Sequence, residues 1–178
     1  RFGRLVVIKL FKIRNKLKQV AVAQIRTYIH LMDHKYKVRI YYEDTDAGGV
    51  VFYANYFKFT ERARTELIYE KFKLKHLEMK DKFDVIFVVK SLSSKYIAPA
   101  KFEDDLIVVT KIIEKSPVRL VLEQNIEKAN KLIFKSTIEL AVVSSNGKIT
   151  KLPNKLLSLI LYSKCSIVFF LKIVKNIL

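Results

Sequence analysis

Three carboxylates, Glu43, Asp44 and Asp46, fall within four positions of the run Tyr42-Glu43-Asp44-Thr45-Asp46-Ala47-Gly48-Gly49. A carboxylate can attack an electrophilic carbonyl or deprotonate a water that does so. It can equally form an Asx-turn or cap a helix entry, the ordinary role of an Asp before a helix. Gly48 and Gly49 let the chain turn sharply and bring backbone close to a ligand. Farther along, Glu61 stands beside Arg62 and Arg64, where an ion pair on the surface or end of a helix is the plainest reading. Cys165 is the single cysteine, and His30, His34 and His76 lack metal-ligand spacing, so there is no disulfide framework and no metal set. One reduced cysteine fits a cytoplasmic protein.

These groups need elements to hold them. Val38, Ile40 and Tyr42 alternate with Lys37, Arg39 and Tyr41, the period of a half-buried strand over 36–42. Tyr56, Phe59, Ala63 and Leu67 then recur in steps of three and four, which predicts a helix from about Tyr53 to Phe72 with Lys58, Arg62, Glu66 and Glu70 in water. Ala63 would admit a close neighbour. Four further strands are predicted over 84–97, 106–114, 118–127 and 132–143, broken at Pro99, Ser116-Pro117, Asn130 and Asn146-Gly147, with a short extra strand near Ile149. Short links cannot make parallel crossovers, so the sheet must be antiparallel and the chain α+β. One helix leaves much of such a sheet bare, which points to self-association.

The run from Arg39 to Leu67, RIYYEDTDAGGVVFYANYFKFTERARTEL, closely resembles the hotdog-fold acyl-CoA thioesterases of the 4-hydroxybenzoyl-CoA thioesterase type, especially the Tol-Pal-associated branch. The likeness continues through Tyr96-Ile97-Ala98-Pro99-Ala100 and covers about 36–153. It implies a hotdog fold, an antiparallel sheet of about five strands around one long helix, assembled as a homodimer or homotetramer. It implies hydrolysis of acyl-CoA, with acyl-carrier protein as an alternative carrier and coenzyme A present only as part of the substrate, without a cofactor or metal. By the same resemblance Asp46, the second Asp of Asp-x-Asp, is the catalytic carboxylate, as nucleophile or general base. The oxyanion donor is the backbone amide seven residues later, on Tyr53, where the predicted helix begins and amides lack internal partners. The Tol-Pal branch often has a histidine there and the 4-hydroxybenzoyl-CoA enzymes a tyrosine; a backbone donor is independent of that change. Gly48 and Gly49 support the loop, and Glu61 is the second-choice carboxylate because some hotdog thioesterases carry their acid on the helix. Lys90, Lys95 and Lys101 could meet the phosphates of coenzyme A, against the plainer reading of solvated charges.

The formal charge of +17 suggests nucleic acid or anionic lipid as partners. Its distribution argues otherwise: 1–31 hold eight Lys or Arg and no acid, 155–178 hold four and no acid, and the middle carries 22 basic against 17 acidic residues. The expected organisation is therefore a basic extension over 1–31, a hotdog domain over 32–154 and an apolar, basic extension over 155–178, with peripheral membrane contact through the ends and no nucleic acid. Lys9 and Lys12 interrupt the apolar stretch 5–13, which reads against a secretory signal. Lys164, costing about 3 kcal/mol at mid-bilayer, reads against a membrane span in the tail. Two other classes compete: a basic surface-binding protein without catalysis, and a Mg-dependent phosphatase of the haloacid dehalogenase type, which would use the first Asp of Asp44-Thr45-Asp46 but needs alternating strands and helices.

Overall fold

The computed structural model describes residues 33–160. The expectations for 1–31 and for the tail past 160 fall outside that range. Within it, strand β1 (His34–Arg39) is followed by a 3₁₀ turn (Tyr42–Asp44), helix α1 (Asn55–Phe72) and a short helix α2 (His76–Phe83). Strands β2 (Ile86–Tyr96), β3 (Asp105–Ser116), β4 (Arg119–Lys128) and β5 (Lys131–Val143) come next, and helix α3 (Asn154–Leu159) ends the described chain. The sheet order is β1-β3-β4-β5-β2 and every neighbouring pair is antiparallel, as short links require.

Details of the elements differ from the sequence reading. The first strand stops at Arg39, because Tyr42–Asp44 close a 3₁₀ turn in which Asp44 Oδ2 accepts the Tyr41 amide at 3.0 Å. The residues near Ile149 form an isolated bridge to Val143 rather than a strand. Helices α2 and α3 carried too little periodicity to be seen: α2 buries only Met79, and α3 only Leu156. Leu152, Leu156 and Ile160 nevertheless join the core, so the packing runs past residue 154.

Helix α1 presents Tyr56, Phe59, Ala63 and Leu67 to the sheet and leaves Lys58, Arg62, Glu66 and Glu70 exposed, the arrangement its 3.6-residue period requires. Ala63 is fully buried. A fully enclosed side chain such as Phe59 contributes about 2–3 kcal/mol of burial.

The core has two apolar clusters, one around Phe59, Ile126 and Phe134 and the other around Leu67, Leu122 and Ile138. Strands β3, β4 and β5 each pass from one cluster to the other at a polar residue. Thr110 lies opposite Gln124, Gln124 opposite Ser136, and Ser136 opposite Ser94, a polar row crossing β3, β4, β5 and β2. The fully buried Gln124 is satisfied by this row and by helix α1: its Nε2 donates to the Thr60 carbonyl (2.9 Å) and Thr110 Oγ1 (3.0 Å), and its Oε1 accepts from Arg64 (2.8 Å). A buried amide left unpaired would cost about 1–3 kcal/mol, so this row fixes the register between helix and sheet.

Candidate active site

Asp46 sits at the tip of a short reversal between β1 and α1. Thr45 pairs with Val51 in an antiparallel bridge, the Asp46 amide donates to the Val50 carbonyl (2.9 Å), and the Phe52 amide donates to the Asp44 carbonyl (2.9 Å). One arm of the reversal therefore carries Asp46, and the other runs through Val50–Phe52 directly into Tyr53. The loop is tied from outside as well. The Val51 amide donates to the Ala100 carbonyl (2.8 Å), and Val50 bridges Lys101, so the segment after β2 forms its backing.

The two carboxylates of Asp-x-Asp have different surroundings. Asp44 is buried and its carboxylate is used in closing the 3₁₀ turn. Asp46 is exposed; its Oδ1 accepts the Gly48 amide at 2.8 Å, and among the described residues nothing donates to Oδ2. The Asx-turn reading and the reactive reading are thus compatible: one oxygen orients the group and the other is available. Gly48 is required by proximity, since a Cβ there would stand 3.1 Å from Asp46 Oδ1. Gly49 is required by conformation, with φ +72°.

Tyr53 lies two residues before the helix, which begins at Asn55 rather than at Tyr53. The shift has a cause in the turn preceding it, where the Asn55 amide donates to the Phe52 carbonyl (2.9 Å) and the Phe57 amide to the Ala54 carbonyl (3.1 Å). In a planar trans peptide the C=O and N–H point in opposite directions. The Phe52 carbonyl is turned onto the helix entry, so the Tyr53 N–H of the same peptide points away from it. Among the described residues it has no acceptor. The Tyr53 ring is exposed and tilts against Phe52 at a centroid distance of 4.6 Å.

Glu61 is separate from this loop. It lies on the exposed side of α1, where its Oε1 accepts the Thr65 hydroxyl at 2.8 Å. The expected ion pair with Arg62 or Arg64 is replaced by this local bond, because Arg64 turns inward to Gln124. Burial pushes the Arg64 guanidinium below its usual value, with Glu61 opposing the shift. Of the three candidate phosphate contacts, Lys90 pairs with Glu139 (3.0 Å), Lys95 lies opposite Lys135 across the β2–β5 ladder, and Lys101 adjoins the loop.

Sequence reasoning missed two residues here. Asn55 is buried, 4% exposed, and its Nδ2 donates to the Asp44 carbonyl at 3.0 Å, joining the helix entry to the 3₁₀ turn; an Asn near a helix start was the available signal. Tyr96, at the end of β2, donates from its hydroxyl to the Tyr53 carbonyl at 3.0 Å. No local pattern could have indicated that long-range bond. Among the described residues no group of three or more His, Cys, Asp or Glu is placed to hold a metal. No helix there is long and apolar enough to cross a membrane.

A carboxylate at the tip of a loop that leads into an outward-pointing amide is suited to acyl transfer. Residues 48–133 match the family model of the thioesterase superfamily. The acyl-CoA thioesterase YbgC of Haemophilus influenzae is 38% identical over 108 residues, 61% of this chain and 79% of that protein. This chain belongs to the thioesterase superfamily. The probable thioesterase of Bartonella henselae superposes on this superfamily member with a TM-score of 0.65 at 27% identity, covering 68% of this chain and 99% of that one. A 4-hydroxybenzoyl-CoA thioesterase mutant in complex with 4-hydroxybenzoyl-CoA superposes with a TM-score of 0.68 at 15% identity, covering 71% of this chain and 97% of that one, which shows the shared fold. The α+β hotdog architecture expected from the sequence is the one this thioesterase has. The phosphatase alternative fails on the same ground, since a wholly antiparallel sheet lacks the alternating strands and helices that reading needs.

Proposed function

We propose that the chain hydrolyses acyl-CoA to free acid and coenzyme A, with Asp46 as the reactive carboxylate and the Tyr53 amide as oxyanion donor. The observation that carries this reading is the asymmetry of Asp46, anchored through Oδ1 and open at Oδ2, on a reversal that continues into the unpaired Tyr53 N–H. Asp46 either attacks the thioester carbonyl carbon, expelling the thiolate and leaving a mixed anhydride that water cleaves, or takes the proton of a water that attacks in its place. In both routes negative charge develops on the carbonyl oxygen, and a fixed backbone donor stabilises it. Glu61, engaged with Thr65 and outside the loop, is not assigned a catalytic part.

Assembly as a dimer or tetramer is supported by the uncovered edge strand β2. Placement in the Tol-Pal-associated branch and acyl-carrier protein as a second carrier are supported by the resemblance of Arg39–Leu67, and a cytoplasmic location by the single cysteine, Cys165. Membrane contact through the terminal segments rests on their charge and apolar content.

Thiol release from a panel of acyl-CoAs tests the proposal. Asp46→Asn keeps the side chain's size, and because Asp46 is exposed the variant should melt like the wild type while kcat falls at least about a hundredfold. Near-normal turnover in the variant would remove Asp46 from the mechanism. Absence of thiol release by the wild type from every acyl chain would remove the activity itself.

A further inference from the structure

The Tyr53 backbone is held from two sides, and only one of the holds is local. On the N-terminal side the Asn55 amide fixes the Phe52 carbonyl, and with it the plane of the peptide that carries the Tyr53 N–H. On the C-terminal side Tyr96, 43 residues away, donates its hydroxyl to the Tyr53 carbonyl. That bond sets the next peptide plane and hence the remaining torsion at Tyr53. The Tyr96 ring is itself braced. It meets Tyr56 edge-on (5.5 Å, 90°) and Phe134 at 5.1 Å, while the Tyr56 hydroxyl accepts the Ala100 amide at 2.9 Å in the segment that backs the loop.

We infer that Tyr96 is a positioning residue for the proposed thioester hydrolysis: its hydroxyl latches the Tyr53 carbonyl and so aims the Tyr53 amide where the oxyanion forms. This rests on the reading of Tyr53 as the oxyanion donor. Tyr96 acts through the backbone of Tyr53, without contact to the reacting atoms. The latch works only while the phenol is protonated, because a phenolate has no proton to donate. Burial, with Tyr53 and Tyr56 adding to it, raises the Tyr96 pKa above its ordinary value, which extends the donor form to higher pH.

The ring packing and the hydrogen bond can be separated experimentally. Tyr96→Phe retains the aromatic contacts and removes the donor; kcat should fall about tenfold, the worth of one hydrogen bond of ordinary net strength, with KM within about twofold of wild type. A second variant, with 3,5-difluorotyrosine incorporated at position 96, keeps a hydroxyl that ionises at lower pH. It should turn over like the wild type in mildly acidic buffer and lose kcat at a pH where the wild type is still fully active. Wild-type kcat in Tyr96→Phe, or a pH profile unchanged by fluorination, would overturn the latch. Those results are distinct from failure of the underlying reading, which would show as an inert wild type or an active Asp46→Asn.

Discussion

Asp44 and Asp46 are the same residue type two positions apart, and their carboxylates do different things because of what the backbone offers each. Asp44 has an amide to accept within a closing 3₁₀ turn and becomes part of the structure; Asp46 has only the Gly48 amide and keeps one oxygen open. The two glycines differ in the same way. Gly48→Ala would place a methyl carbon 3.1 Å from Asp46 Oδ1, so the carboxylate must move by a few tenths of an ångström, whereas Gly49→Ala meets no atom within 4 Å but must adopt φ +72°. The first should cost roughly tenfold in kcat with the melting temperature held, since small misplacements of a reacting group are expensive. The second should cost about 1–2 kcal/mol of stability with less loss of turnover. Paired kinetics and thermal melts check both, and equal effects on kcat would contradict the distinction.

Between elements, Asn55 secures the helix entry from inside the first turn rather than from the cap position. The helix N-cap is Ala54, which has no side-chain bond to offer, and the entry is secured instead by Asn55 reaching back to the Asp44 carbonyl. That carbonyl also accepts the Phe52 amide, so one oxygen joins the 3₁₀ turn, the Tyr53 turn and α1. Asn55→Ala should therefore lower unfolding stability by about 1–2 kcal/mol, the cost of losing a buried hydrogen bond, and reduce kcat at the same time. A urea titration alongside steady-state kinetics measures both. Loss of stability with kcat intact would mean that the helix entry and the Tyr53 turn are mechanically independent. Periodicity puts the start of α1 two residues early, because it locates buried faces and is silent about the single turn before them.

The sheet as a whole is unevenly covered. Helix α1 packs over the β1 and β3 side, while β2, an edge strand, is exposed along most of its length. Val88, Val89 and Leu92 are 40–52% exposed on that strand, and an uncovered apolar edge is a template for pairing with another chain. A two-fold dimer through β2 would bury it. Leu92→Lys should then shift the protein from dimer to monomer in sedimentation velocity, because a charge on an edge strand opposes pairing; a wild type that sediments as a monomer at micromolar concentration would refute the arrangement. The polar row from Thr110 to Ser94 belongs to this scale too. Gln124, Ser136 and Thr110 stand on the buried, otherwise apolar face of their strands, and each would look like an error until the strands are aligned and Arg64 is set above them.

Short-range periodicity was enough to determine the order and type of the main elements, the antiparallel sheet and the face that α1 buries, since each depends on residues within a few positions of one another. The run Arg39–Leu67 was specific enough to indicate the family and to single out Asp46, Gly48, Gly49 and Tyr53. The tertiary structure alone decided how those residues are held. Asp44 withdraws into its turn, Arg64 leaves Glu61 for Gln124, and Tyr96 crosses from the end of β2 to the Tyr53 carbonyl. The Arg64 and Tyr96 bonds join groups tens of residues apart, and their geometry exists only once the sheet has set its register and the helix has docked. Asp44 closes its turn locally, but its acidic neighbours give no signal of which carboxylate the backbone will claim.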